Sequence, residues 1–300
     1  MSGRVVDWSG AFAVCVTPFT EQGTLDENAT RELIDLLVSE GAKGLVMSGS
    51  LGEWYSLTNP ERIRLFEIAT EQSAGRVKII AGTSAIRTAD AVELTEAAKA
   101  LGCDGAMLLP PPYILPTERE VLEFFRSVDA VGLPLMLYNN PGRTGVNLNA
   151  RLLSDLVVLQ NVAALKDSSK DLAQLAQTIA THGERIAVFT GFESYAVPCI
   201  QRGAVGVVGI AANVLGVKAI EFANFAIAGD WNSTAALSPL IDQLYALCYD
   251  GKHNPYVMIK EAMRLLGRPG GWPRPPLLPL PPGDRDDLER TLEALLASRH

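Results

Sequence analysis

Short apolar runs alternate along this chain with longer stretches in which apolar residues recur at every third or fourth position. The former read as buried strands and the latter as amphipathic helices. The runs are "AFAVCV" (11–16), "GLVM" (44–47), "VKIIAG" (77–82), "GAMLLP" (105–110), "PLMLYNN" (134–140), "VAALK" (162–166), "IAVFTG" (186–191) and "AVGVVGI" (204–210). Between them, Asp26 is placed to cap a helix whose Leu33, Ile34, Leu37 and Val38 share one face and which stops at Gly41. Thr58 or Asn59 starts another helix with Pro60 in its first turn, and Thr117 with Glu120 spells a capping box for a third. Later helices are expected over 148–158, over 194–203 with Pro198 inside, and over 214–228.

Eight strand–helix units in succession suit a parallel sheet, and eight close into a (β/α)8 TIM barrel over residues 1–228. An open doubly wound sheet is the competing α/β fold, but no Gly-x-Gly-x-x-Gly follows the first strand. After residue 228 the strand pattern ends. Within 229–300, "WNSTAALSPLIDQLYALCY", "NPYVMIKEAMRLLG" and "DRDDLERTLEALLAS" read as helices, the last two separated by the Pro-rich stretch 268–283. This region is expected to be an appended C-terminal helical region packed on the barrel, with the proline segment as an extended arm.

Composition narrows the function. A chain of 300 residues fits a barrel of ~250 residues with insertions. A net charge of −8 argues against nucleic acid as a partner. No apolar run reaches the ~18 residues of a membrane span, and "MSGRVVDWSG" does not resemble a signal peptide. The expectation is a cytoplasmic protein that does not engage a membrane. Cys15, Cys103, Cys199 and Cys248 form no CxxC and read as reduced core thiols. His182, His253 and His300 form no HxH or HExxH, so no metal is expected.

In a barrel the chemistry belongs at the carboxyl ends of the strands. Lys166 ends the sixth apolar run. Stripping water from an unpaired ammonium is costly, so this lysine is either paired, with Asp167 or Glu193 at hand, or put to use. A lysine amine attacks a carbonyl only when neutral, and burial favours that form. Tyr138 ends the neighbouring fifth run, and its phenol suits the proton transfers of imine formation and hydrolysis. The Ser50 hydroxyl in "SGSLGE" is placed to relay to it, and amides of the 49–52 turn to hold a carboxylate. Taken singly, each residue is more often structural: Tyr138 as packing, Tyr113 as part of a rigid "PPPYILP" loop, Arg143 as a surface charge, the glycines as turn formers. Together, on successive strand ends, they point to Schiff-base chemistry on a 2-oxo acid.

The order "GSLGE", "PPPYILPT", "YNNPGRTG", "ALKDSS", "TGFE", "GVVGIAANV" resembles the dihydrodipicolinate synthase / N-acetylneuraminate lyase family from about residue 10 to 228, and the helical tail fits as well. The resemblance implies a (β/α)8 barrel, a homotetramer or homodimer, and pyruvate or a related 2-oxo acid held covalently on Lys166, with no other cofactor. Tyr138 matches the proton-transferring phenol, Ser50 the first hydroxyl of the Gly-Thr-Thr-Gly-Glu type motif, and Tyr113 the tyrosine that crosses a subunit interface in the synthases. Arg143 matches the arginine that receives the second substrate's carboxylate. Leu51, Gly52, Gly191, Glu193 and Val208 are the further candidate binding positions.

The sequence also departs from the pattern. Leu51 stands where the synthases and sialic acid lyases carry a threonine, and Trp54 and Tyr55 replace small residues. Pro112 replaces a tyrosine that binds feedback lysine in regulated synthases, with Ile114 and Leu115 in place of polar neighbours, which argues against lysine feedback. Glu193 is followed by Ser194, so the acidic pair of the sialic acid lyases is incomplete. "GEWYSLT" is similar to the "GEFFSLT" of the sugar-acid dehydratases in the family. The expectation is therefore a Schiff-base-forming lyase or aldolase acting on pyruvate or another 2-oxo acid, with an aldehyde or sugar acid as partner. The alternatives are a 2-keto-3-deoxy sugar-acid aldolase or dehydratase, a true dihydrodipicolinate synthase, and a barrel that binds a 2-oxo acid without turnover.

Overall fold

The computed structural model describes residues 5–297, so His300 lies outside the described residues. Among them, eight parallel strands close a barrel in chain order: β1 (Gly10–Val14), β2 (Gly44–Met47), β3 (Lys78–Gly82), β4 (Gly105–Leu108), β5 (Leu135–Asn139), β6 (Val162–Asp167), β7 (Ala187–Thr190) and β8 (Gly206–Gly209). The helices between them are α1 (Glu27–Ser39), α2 (Asn59–Ser73), α3 (Thr88–Ala100), α4 (Glu118–Asp129), α5 (Pro141–Thr144), α6 (Ala150–Leu156), α7 (Leu172–His182), α8 (Ala196–Ile200), α9 (Ala212–Leu215) and α10 (Val217–Ala228). Then come α11 (Trp231–Cys248), α12 (Pro255–Leu265) and α13 (Pro282–Ala297). Barrel interior on one face and helices on the other leave no wet side. That is why the strands are buried throughout, Lys78 excepted, and why the sequence shows runs instead of alternation.

The caps form as their residues dictate. The Asp26 side chain accepts from Ala29 N at 3.0 Å, and Thr58–Glu61 and Thr117–Glu120 each close a reciprocal capping box. The helix expected over 214–228 is two helices. They break at Gly216, where φ is +55° and an added Cβ would overlap the Glu40 carboxylate. The 194–203 stretch is a turn of 3-10 helix followed by the short α8.

The arm between α12 and α13 packs against the loop after β1, the turn after β2 and the start of α2. Phe19 bridges to Trp272. Arg268 is paired with Glu40 at 2.6 Å, and Arg274 with Glu61 at 2.8 Å. Beneath the arm, Lys260 of α12 is 1% exposed, paired with Glu53 and donating to Trp272 O at 2.8 Å. Glu53 Oε2 also accepts from Arg274 N at 3.1 Å, so the turn after β2 is tied to the C-terminal region.

One irregularity sets the site. Between β5 and β6 the register shifts by one residue: Leu135 faces Val162, but Met136 faces Ala164. An unshifted ladder would set Tyr138 beside Leu165. The extra residue sets it beside Lys166, on the same face.

Candidate active site

A cavity of about 510 Å³ opens at the carboxyl ends of the strands. Val14 of β1, Ser50 and Leu51 after β2, Tyr138 of β5, Lys166 of β6, Gly191 after β7 and Ile210 after β8 all line it. Leu51 is buried and apolar at a point where a hydroxyl would add a polar contact.

Lys166 is 4% exposed, and its Nζ lies 4.3 Å from the centre of the Tyr138 ring. Among the described residues it forms no ion pair. Its two possible partners are engaged elsewhere. Asp167, on the opposite face of β6, accepts from Asn139 Nδ2 at 3.0 Å and from Ser169 Oγ at 2.6 Å. Glu193 accepts from Ala211 N at 2.8 Å and from the Tyr245 hydroxyl.

Tyr138 is 6% exposed, and its Oη accepts from Asn140 Nδ2 at 2.9 Å. Burial pushes this phenol up. The Lys166 ammonium, the Asn140 amide, the Ser168 hydroxyl and the Arg143 guanidinium outweigh burial and hold it below the ordinary tyrosine range. A phenol so placed gives up its proton more readily, which suits it to shuttle protons at the neighbouring amine.

Gly191 makes room for this arrangement. A Cβ there would overlap Ser168 Oγ and lie 3.0 Å from Lys166 Cε. Gly209 plays the same part for Glu193, whose carboxylate fills the space its Cβ would take.

Of the positions singled out by sequence, Lys166, Tyr138, Ser50, Leu51, Arg143 and Gly191 meet around the cavity. Gly52 does not line it, and its carbonyl accepts from Thr17 Oγ1 at 2.7 Å, anchoring the turn from below. Glu193 holds the β8 turn and Tyr245 from behind the wall. Val208 sits inside the barrel two residues short of the wall, which Ile210 supplies. Tyr113 is 88% exposed at φ +76°, outside the cavity, with Ile114 and Leu115 exposed beside it. Trp54 lines a side recess of about 150 Å³ that shares Ser50, Arg143 and Tyr256 with the main cavity.

Sequence reasoning missed the C-terminal contribution. Tyr245 of α11, Tyr249 just past its end and Tyr256 of α12 form one wall. Tyr245 and Tyr249 stack with ring centres 5.6 Å apart, and the Arg143 guanidinium lies 4.8 Å over Tyr256. The i, i+4 tyrosines were a visible signal, but that spacing reads equally as helix core. Asn140, the phenol's hydrogen-bond partner, also went unselected.

Among the described residues no group of three or more His, Cys, Asp or Glu is placed to hold a metal ion, and all four cysteines are free and buried. None of the described helices is long and apolar enough to cross a membrane.

The model of the dihydrodipicolinate synthetase family matches residues 7–295. An uncharacterized DapA-like lyase of Rhizobium meliloti is 44% identical over 91% of this chain and 91% of its own. Among solved structures, dihydrodipicolinate synthase from Aquifex aeolicus superposes with a TM-score of 0.91 at 31% identity, covering 96% of this chain and 98% of that one. The chloride-inhibited synthase from Acinetobacter baumannii, complexed with pyruvate, gives 0.87 at 30% identity, covering 96% and 98%.

Proposed function

The chain belongs to the dihydrodipicolinate synthetase family, a family of lyases, and on that footing we propose that it holds pyruvate or another 2-oxo acid as an imine on Lys166 for carbon–carbon or carbon–oxygen lyase chemistry. The observation that carries this reading is the state of Lys166: buried, without an ion pair among the described residues, and level with a phenol whose pKa is lowered. A costly unpaired lysine is unexplained by the fold and explained by covalent catalysis. Pyruvate in the Acinetobacter baumannii neighbour supports the choice of ligand.

The neutral amine adds to the ketone carbon. The carbinolamine then loses water, Tyr138 delivering a proton to the departing oxygen, with Ser50 and a second copy's Tyr113 as its relay. The resulting iminium draws electrons from the adjacent carbon, where a bond to an aldehyde carbon forms or breaks, or water leaves. The amides of the 49–52 turn hold the carboxylate, and Arg143 receives an anionic group of the partner. The exposed Tyr113–Leu115 tip supports a homotetramer or homodimer in which one copy completes the site of another.

Incubation with pyruvate, borohydride reduction and peptide mass spectrometry test this. An adduct on Lys166 is expected. No adduct with pyruvate or any longer 2-oxo acid would leave Lys166 structural.

A second reading has one observation in its favour. Trp54 and the side recess give room beside Ser50 for a longer 2-keto-3-deoxy sugar acid. Product analysis with such acids, against turnover of pyruvate with aspartate semialdehyde, separates it from a synthase.

A further inference from the structure

The cavity wall carries three cations, Lys166, Arg143 and Lys170, and among the described residues no carboxylate side chain lines it. This is a local reversal in a chain of net charge −8. Imine formation engages Lys166, and the 2-oxo acid's own carboxylate balances one charge. Two cations are left at the mouth.

Lys170 is the unexplained one. Its φ is +64°, a left-handed conformation that a glycine adopts freely and a lysine does not. Strain of this kind persists where the surroundings fix it, and it clusters at ligand sites. The Lys170 side chain is exposed, and among the described residues it forms no ion pair. The adjacent acid, Asp171, is turned to the α7 N-terminus, where it accepts from Ala173 N and Gln174 N at 3.0 and 2.9 Å. The Lys170 Nζ rests 4.9 Å from the Phe192 ring centre and 5.7 Å from that of Tyr195. Of the two rings Phe192 lines the cavity, while Tyr195 lines a small neighbouring recess with Asp167 and Asp171, and neither ring neutralises the charge.

We propose that Lys170 is a specificity-determining residue that, with Arg143, selects a partner molecule bearing an anionic group at the end remote from the imine carbon. This rests on the imine reading above, in which Arg143 already receives an anionic group of the partner, and adds Lys170 as the residue that enforces that choice.

The test uses the full-length protein reduced with borohydride in the presence of pyruvate, which leaves the partner's subsite open but unreactive. Calorimetry then compares butyrate with its neutral isostere butyramide. Butyrate is expected to bind at least tenfold more tightly. Lys170→Met and Lys170→Gly are each expected to cut that preference at least fivefold, while Lys170→Arg keeps it. The glycine variant suits the local φ, so its thermal midpoint should hold or rise, which separates lost charge from lost fold. A preference equal in all four proteins, or butyrate no tighter than butyramide on the unsubstituted protein, overturns the proposal. If no adduct forms, the imine reading fails instead. The same four-protein comparison on untreated protein then still decides Lys170.

Discussion

Two lysines are buried in this protein to nearly the same depth, and they live in opposite circumstances. Lys260, under the C-terminal arm, is paired with Glu53, donates to Trp272 O, and lies 4.5 Å from the Phe19 ring centre. Burial still pushes its ammonium down to about 8. Lys166, at the barrel mouth, has a ring beside it and no acid paired to it among the described residues. The difference teaches what burial alone does not. A charge with its hydrogen bonds met holds two regions together, and a charge left wanting is available for chemistry.

The largest expected effect comes from Lys166→Met. Activity on the true substrate should fall on the order of a thousandfold or more, with no borohydride-trapped adduct. The thermal midpoint should stay level or rise, because an unpaired lysine is replaced by an apolar chain of similar length. A marked loss of stability would mean that Lys166, like Lys260, is structural. Lys260→Met should do the reverse. Leaving Glu53 buried and unpaired should cost about 3–5 kcal/mol in denaturant unfolding. Adding Glu53→Gln should recover much of that, since the amide carbonyl still accepts from Arg274 N. Equal losses in single and double variants would break the pairing argument.

Gly191→Ala sharpens the contrast at smaller scale. Its methyl would displace Ser168 and crowd Lys166 Cε, costing about 1–3 kcal/mol and slowing trapping with pyruvate. Normal trapping would show that the lysine tolerates displacement. The smallest effect belongs to His253, bonded to Asp250 at 2.9 Å and to Asp284 at 3.3 Å. The Asp250 hydrogen bond raises its pKa above the usual 6.5, against some desolvation and with help from Asp284. Its stabilisation is therefore fully present below 6.5 and lost as pH rises through the higher folded value. The difference in thermal midpoint between the protein and His253→Asn should be larger at pH 5.5 than at pH 8.5.

The sequence by itself determined the strands, the helix caps and the barrel. Apolar runs must be buried, and Asp26, Thr58 and Thr117 meet helix N–H groups a few residues away, so these are local matters. It also put Lys166 and Tyr138 at strand ends, since a charge or a phenol closing an apolar run is visible without a fold. Tertiary structure alone decided the rest. The one-residue shift between β5 and β6, which levels Tyr138 with Lys166, depends on how two strands meet. The space at Gly191 is defined by Ser168 and Lys166, and the fate of Glu193 by Tyr245, 52 residues away. The tyrosine wall comes from helices whose i, i+4 pattern fits a core or a pocket equally well. Register, free volume and the partner of a buried charge belong to pairs of distant segments, and one-dimensional periodicity carries no record of which pairs will meet.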